Sequence, residues 1–293
     1  MNFTVEVRSG LCNMLKSFVT ALSIGEANVL PNHTIHFDAD HSEILDSSLI
    51  CKSPDEAGES VIGSRFLILK SEEEEQSDLI NDAKNLGHHP DIINPKLIPL
   101  FSQNTIDWFY DRNLISDTVY NRIQAGIQKV KWRPEVLNEV DRIVSEFEGA
   151  VLCVQIRTWS HETDPSNVKA VYPTLKRTWN GSSWVDSYHE GVKRDYNFET
   201  YKNAIQEFLP KAKTVFLTAD NDAVIDDYIN YLKNYDVKIV TYPKPQNITQ
   251  LQHSASTMLL GANSDMLVCS RLSTFAECMW WFGGCKAKVI PVF

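Results

Sequence analysis

Nowhere in this sequence do about 18 uninterrupted apolar residues occur, the least that a membrane-crossing helix needs. Its opening, Met1 to Arg8, lacks a basic segment followed by an apolar run, so no secretory leader is expected and a cytoplasmic location without a membrane span is. Without secretion, the Asn-x-Ser/Thr triplets at Asn2, Asn32, Asn180 and Asn247 are chance matches. Positive charge is scarce: 28 Lys and Arg stand against 38 Asp and Glu, a net charge of −10. A general nucleic-acid binder is thereby excluded, because phosphate backbones are engaged through clustered Lys and Arg. There is no Cys-x-x-Cys pair among the six scattered cysteines, Cys12, Cys51, Cys153, Cys269, Cys278 and Cys285, which removes the common zinc and redox patterns. Cys153 and Cys269 lie in apolar runs and read as buried small hydrophobes. Internal repeats and low-complexity tracts are also missing.

What is present describes a globular α/β protein. Hydrophobic residues make up 43% and charged residues 23% of the chain, ordinary values for a folded domain. A length of 293 residues exceeds what one core usually serves, leaving two domains or one large α/β domain. From Val151 onward strand and helix signals alternate. Strands are expected at Val151 to Ile156, Thr214 to Leu217, Val237 to Val240, Met266 to Cys269 and Lys288 to Val292, and helices at Phe198 to Leu209, Asp222 to Asn234, Ser254 to Ala262 and Ser273 to Phe282. Such alternation describes a right-handed, doubly wound parallel sheet. The amino-terminal half opens the same way, with a strand at Phe3 to Val7, a turn at Arg8 to Cys12 and a helix from Asn13 to about Ala27. Further strands are expected at Thr34 to Phe37 and Phe66 to Leu69, and a helix at Pro134 to Glu148 that stops at Gly149. The fold class is therefore α/β, with two Rossmann-like domains, residues 1–149 and 150–293, facing across a cleft.

Two segments break the rhythm. Glu72 to Glu75 is a charge run that reads as a solvated loop or helix start. Thr158 to Tyr196 holds Trp159, Tyr172, Trp179, Trp184, Tyr188 and Tyr196 without sustained periodicity. Long loops in compact domains are usually functional or disordered, and this aromatic content disfavours disorder. An ordered flap is expected, its rings either stacking on sugars or bases or pinning the loop to the body.

Four constellations carry chemistry. Val151 to Trp159 is a buried-strand pattern ending on Arg157. Ligands of open α/β sheets bind at the carboxyl ends of strands. A guanidinium fixed there offers a planar fork for a phosphate or carboxylate, the alternative being a structural ion pair. Arg8 to Asn13 is a strand-to-helix turn whose backbone amides can cradle an anion. Leu217 to Asn221 is a strand ending in Asp220, suited to accept hydrogen bonds from a ribose or base, unless Asp220, Asn221 or Asp222 caps a helix. Asp265 to Phe275 runs from an apolar strand through Ser270 and Arg271 into a helix starting at Ser273 and Thr274. Helix amides plus hydroxyls make a phosphate site, or else an ordinary Ser/Thr cap.

The ordered set Gly-Leu-Cys-Asn near the start, Val-Gln-Ile-Arg after mid-chain, Leu-Thr-Ala-Asp, and Ser-Arg-Leu-Ser-Thr-Phe near the end resembles the fucosyltransferase superfamily of GT-B glycosyltransferases. That group includes nodulation and core α1,6-fucosyltransferases, protein O-fucosyltransferases and plant xyloglucan fucosyltransferases, and the Gln-Ile-Arg version looks most like the plant enzymes. The resemblance implies a nucleotide-sugar donor in the carboxyl-terminal half, with Arg157 on its diphosphate. It also implies Asp220 at the nucleoside, Ser270, Arg271, Ser273, Thr274 and Phe275 around the phosphates or base, and Gly10 and Asn13 approaching from the other domain. The partners implied are a GDP- or UDP-sugar and a carbohydrate acceptor, and no cofactor. Catalysis without a metal follows in such enzymes, because guanidinium, helix N-terminus and hydroxyls neutralise the leaving phosphate. Cys12 stands where many relatives have a second glycine, and Thr158 and Trp159 where they have an Arg or Asp. These departures leave GDP-fucose the default donor and another, such as UDP-xylose, the alternative.

Inverting transfer needs a base for the acceptor hydroxyl. Asp38 and Asp40 at the end of the second strand, and His161, Glu162 and Asp164 after the arginine, are the candidates, with Asp40 favoured because amino-domain strand ends face the acceptor side in a GT-B arrangement. A surface turn is the plain alternative for that position. Asp38-Ala39-Asp40, flanked by His36 and His41, also matches the Asp-x-Asp metal motif of another glycosyltransferase class. It reads as a chance match, since those enzymes lack the arginine and Ser-Thr-Phe pattern, and no metal is expected. The expected activity is an inverting, metal-independent glycosyl transfer. A non-catalytic glycan- or nucleotide-binding protein is the competing class, and a dinucleotide oxidoreductase is disfavoured because Arg8 to Asn13 lacks Gly-x-Gly-x-x-Gly.

Overall fold

A computed structural model of the chain describes residues 3–6, 11–26, 33–36, 42–46, 50–51, 61–63, 67–68, 97–98, 110–115, 117–158, 178–179, 184–185, 197–270 and 273–292, and the structural statements below concern these residues. The amino-terminal half contains strand β1 (Phe3–Glu6), helix α1 (Leu11–Glu26) and strands β2 (His33–His36), β3 (Ile50–Cys51) and β4 (Val61–Gly63). The four strands form one sheet in the order β3-β2-β1-β4, every neighbouring pair parallel. The strand expected at Phe66 to Leu69 is the short β5 (Leu67–Ile68), which pairs antiparallel with β6 (Leu97–Ile98) outside that sheet. The sheet is completed instead by β3 and β4, two and three residues long, too short to carry a period that sequence reading can detect.

Helices α2 (Asp117–Gln128) and α3 (Pro134–Val144) follow. Pro134 occupies the first turn of α3, where its fixed φ suits the helix and its missing N–H costs nothing. The helix stops at Val144, short of the expected Glu148, and the chain turns through Gly149 at φ +57°. That left-handed conformation favours glycine, and a Cβ there would also meet the Lys213 side chain at 3.0 Å.

The carboxyl-terminal half is built on β7 (Val151–Ile156), β10 (Thr214–Ala219), β11 (Lys238–Thr241), β12 (Met266–Ser270) and β13 (Lys288–Val292), with β8 (Thr178–Trp179) and β9 (Trp184–Val185) forming a separate antiparallel pair. The sheet order is β11-β10-β7-β12-β13, all parallel. In order along the chain this is 3-2-1-4-5, and the first four strands of the molecule repeat its 3-2-1-4 portion. Strand order reverses between β7 and β12, and that crevice is where open α/β sheets receive ligands. Four helices make the crossovers: α4 (Phe198–Phe208), α5 (Ile225–Leu232), α6 (Gln250–Ala262) and α7 (Thr274–Phe282). Helix α6 begins before the expected Ser254 because Thr249 and Gln252 form a reciprocal capping box.

Side chains of β7 alternate between two cores. Leu152, Val154 and Ile156 pack with Tyr201, Ile205 and Phe208 of α4 and Tyr228 and Leu232 of α5. Val151 and Cys153 face the opposite side, with Met258 of α6 and Cys278, Trp280 and Trp281 of α7. Full burial on both faces explains why this strand reads as a continuous apolar run. The second core also takes in Leu15, Phe18, Val19 and Leu22 of α1 and Val136, Val140 and Ile143 of α3. Apolar packing is thus continuous between the helices of the two halves.

Candidate functional site

Arg157 is the first residue beyond β7, and side chains from the two flanking strands hold its backbone and that of its successor. On the β12 side the ladder ends with Gln155 opposite Cys269. Past that point the Ser270 hydroxyl takes over: it accepts the Arg157 N–H at 2.7 Å and lies 3.5 Å from the Arg157 carbonyl. The Gln155 side chain accepts the Ser270 N–H at 3.3 Å, which ties the two strand ends together. On the β10 side Asp220 accepts the Thr158 N–H at 2.7 Å and the Thr158 hydroxyl at 2.9 Å through one carboxylate oxygen. Its own N–H donates to the Ile156 carbonyl at 3.2 Å.

Beneath these strand ends lies Tyr201 of α4, 1% exposed. Its hydroxyl hydrogen-bonds the Ser270 hydroxyl and lies 3.4 Å from the Gln155 carbonyl. Burial pushes the Tyr201 phenol well above its ordinary value, and hydrogen bonds to Ser270 and the Arg157 backbone oppose that shift. The phenol is therefore a neutral hydrogen-bonding group at physiological pH.

The other side of the crevice is the start of α7. Ser273 is its N-cap, and its hydroxyl accepts the Ala276 N–H at 3.3 Å. Thr274 and Phe275 form the half-buried first turn. The N-terminus of this helix bears the positive end of the helix dipole. Helix α1 lies alongside: the buried Lys16 ammonium pairs with Glu277 of α7 at 2.6 Å, and the Cys278 thiol lies 3.6 Å from the Cys12 carbonyl. Burial, reinforced by Cys12, pushes the Cys278 thiol well up.

The residues expected at the site are thus distributed as follows. Arg157, Ser270 and Asp220 meet at the carboxyl ends of adjacent strands, and Ser273, Thr274 and Phe275 open the helix that follows β12. Capping of the short turn after β10 falls to Asn221, which accepts the Ala223 N–H at 3.0 Å, while Asp220 binds Thr158. Asn13 lies in α1, and its side chain is outside the described residues, as are Gly10, Asp38, Asp40, Glu162 and Arg271. Most of the aromatic segment Thr158 to Tyr196 and the charge run Glu72 to Glu75 are outside them as well. Among the described residues no cluster of three or more His, Cys, Asp or Glu side chains is arranged to hold a metal ion. None of their helices is long and apolar enough to cross a membrane.

Sequence reading missed Tyr201, Thr158 and the Lys16–Glu277 pair. The spacing Phe198, Tyr201, Ile205, Phe208 marks the buried face of α4, and so places the Tyr201 ring in the core. A partner for its hydroxyl on β12, 69 residues away, has no local signal.

No protein-family model matches the sequence, and no curated protein sequence matches it. Solved structures do match. The crystal structure of POFUT1 in complex with GDP-fucose aligns over 100% of this chain and 98% of its own, with a TM-score of 0.50 and 11% sequence identity. A high-resolution structure of POFUT1 with GDP aligns over 99% of this chain and 97% of its own, again at TM-score 0.50 and 11% identity. Fucosyltransferase NodZ from Bradyrhizobium aligns over 94% of this chain and 90% of its own, at TM-score 0.48 and 13% identity. The POFUT1 alignments show that the chain has a GT-B fucosyltransferase-like fold.

Proposed function

We propose that this chain is an inverting glycosyltransferase that moves a sugar from a nucleotide-sugar donor to a carbohydrate hydroxyl, with the donor diphosphate held at the switch point between β7 and β12. The observation that carries this reading is the convergence there of Arg157, anchored through Ser270 and followed by a residue anchored through Asp220, with the N-terminus of α7. A charged fork and a helix N-terminus at one crevice suit a diphosphate. The POFUT1 structures of the same fold are complexes with GDP-fucose and with GDP, and they support GDP-fucose as the first donor to try. Residues 150–293 are the donor side in this reading and residues 1–149 the acceptor side.

Chemically, the glycosidic carbon loses the nucleoside diphosphate while the acceptor oxygen attacks from the opposite face. Negative charge develops on the departing phosphate oxygen, and Arg157 together with the α7 amides stabilises it without reorganising. Ser270 and Ser273 contribute through the backbone they fix, and Thr274 and Phe275 close the donor pocket from the α7 side. Gly10, Asn13 and Arg271 complete the donor contacts. Asp40, with Asp38 and Glu162 as the other carboxylates, takes the acceptor proton. No metal is required, so activity persists in chelator; loss in chelator with recovery on adding manganese would contradict that.

The test is turnover of GDP-fucose, with UDP-sugars in parallel, by the wild type and by Arg157 variants. Arg157→Ala is expected to lower turnover by about 10²- to 10³-fold with folding intact. Arg157→Lys should recover little of it, because a point charge does not replace the planar fork. Unchanged kinetics in the alanine variant would remove Arg157 from the mechanism.

A further inference from the structure

Arg157 stands where the regular ladder between β7 and β12 has run out, so its backbone needs other partners. Ser270 supplies one: its hydroxyl accepts the Arg157 N–H at 2.7 Å and lies 3.5 Å from the Arg157 carbonyl. A serine hydroxyl rotates freely about its C–O bond unless something fixes it. Here the Tyr201 hydroxyl does so, while also reaching the carbonyl of Gln155, whose side chain holds the Ser270 N–H. The three side chains close a ring of hydrogen bonds, 5% exposed or less, directly under the strand end. Packing alone would be served by phenylalanine, as it is at Phe198 and Phe208 on the same face of α4. The hydroxyl of Tyr201 has a purpose that the core does not require.

We propose that Tyr201 is a positioning residue for Arg157: through Ser270 and Gln155 its phenol fixes the backbone that carries the guanidinium, and so sets the aim of that guanidinium at the donor diphosphate. The inference rests on the proposed role of Arg157 as a diphosphate ligand. Tyr201 touches no substrate atom, and it acts by keeping the end of β7 in one conformation. Burial keeps the phenol protonated over the neutral range, which keeps the ring of hydrogen bonds intact there.

The experiment is calorimetric titration with GDP and GMP, and with UDP and UMP, of four proteins: wild type, Tyr201→Phe, Arg157→Ala and the double variant. Arg157 serves the second phosphate, so the ratio of diphosphate to monophosphate affinity reads its placement. Tyr201→Phe is expected to weaken diphosphate binding about tenfold while monophosphate binding stays within about twofold, since misaiming a charged group costs more than its neutral surroundings do. In the Arg157→Ala background the same substitution should cost nothing further. Equal weakening of both nucleotides, or an undiminished effect in the Arg157→Ala background, would make Tyr201 a structural residue and overturn the inference. An unchanged ratio in Tyr201→Phe, with the ratio lost in Arg157→Ala, would overturn this inference and leave the proposed function standing. No diphosphate binding by wild type, or an unaltered ratio in Arg157→Ala, would overturn both. If Tyr201→Phe does not fold, Ser270→Ala decides: its effect must vanish in the Arg157→Ala background, whereas a direct contact between Ser270 and the nucleotide would persist there and overturn the positioning role.

Discussion

At the scale of single residues, the described part of the candidate site consists of anchors around the backbone of Arg157 and Thr158. Asp220 illustrates how an expected ligand also turns out to hold backbone: one carboxylate oxygen accepts both the N–H and the hydroxyl of Thr158. Asp220→Ala is expected to cost about 2 kcal/mol in denaturant unfolding, and Asp220→Asn, which keeps an acceptor at the same place, to restore most of it. Equal losses in the two variants would contradict that anchoring role. Tyr201 gives a prediction in pH. Its phenol is raised above the ordinary value of 10.0 by burial, so above that pH the unfolded chain releases a proton that the folded chain retains. Stability from this group is complete below about pH 10 and falls as pH rises further. Tyr201→Phe should therefore lose less melting temperature between pH 9 and pH 11 than the wild type, and an equal or greater loss would contradict the shift. The position of Arg157 at a strand end was legible in the sequence because an apolar strand pattern stops on it. Tyr201 was not, because helical spacing reports which face is buried and says nothing of the polar partner a buried hydroxyl finds in another strand.

At the scale of elements, α1 and α7 are joined by a buried charge pair. Lys16 is 0% and Glu277 5% exposed, and their contact is 2.6 Å. Removing one member leaves the other charge buried with its main counter-charge gone, so Glu277→Gln or Lys16→Met is expected to destabilise by about 3–5 kcal/mol. Lys16→Met combined with Glu277→Leu should recover most of that loss, since a matched apolar pair carries no such penalty. Additive losses in the double variant would show that the pair is not coupled. Because Glu277 lies in the first turn of α7, the same variants should also loosen the helix start beside the crevice between β7 and β12. Strands β7 and β13 have their expected bounds, because apolar runs bounded by turns leave little choice of end. The amino-terminal sheet was less legible: β3 and β4, two and three residues long, are too short for alternation to repeat, and Phe66 to Leu69 contains a strand whose partner, β6, is antiparallel. The start of α6 was written in Thr249 and Gln252, a capping signal that outranks the apolar pattern beginning at Ser254.

At the scale of the whole molecule, two parallel sheets that have a 3-2-1-4 order in common share a helical core that runs from α1 and α3 to α6 and α7. Alternating strand and helix signals were enough to predict the parallel carboxyl-terminal sheet and its crossover helices, since each crossover imposes its own period and hand. The shared core was not predictable, because contacts between α1 and α7 join residues more than 260 positions apart. Cys12, Cys153, Cys269, Cys278 and Cys285 are all buried within this body. Burial also pushes the Cys153, Cys278 and Cys285 thiols up. Because all five are shielded from solvent, the native protein should leave them unreactive toward a thiol reagent that labels them fully after unfolding. Labelling of any of the five in the native state would contradict the packing around it. The central claim, a nucleoside diphosphate held at the carboxyl end of β7, is tested most directly by thermal shift of wild type and Arg157→Ala with GDP, UDP, GMP and UMP. One diphosphate at about 100 times its Kd should raise the wild-type Tm by roughly 5 °C, with its monophosphate raising it less and Arg157→Ala losing the difference. No shift with either diphosphate, or the same shift in Arg157→Ala as in the wild type, would contradict the account.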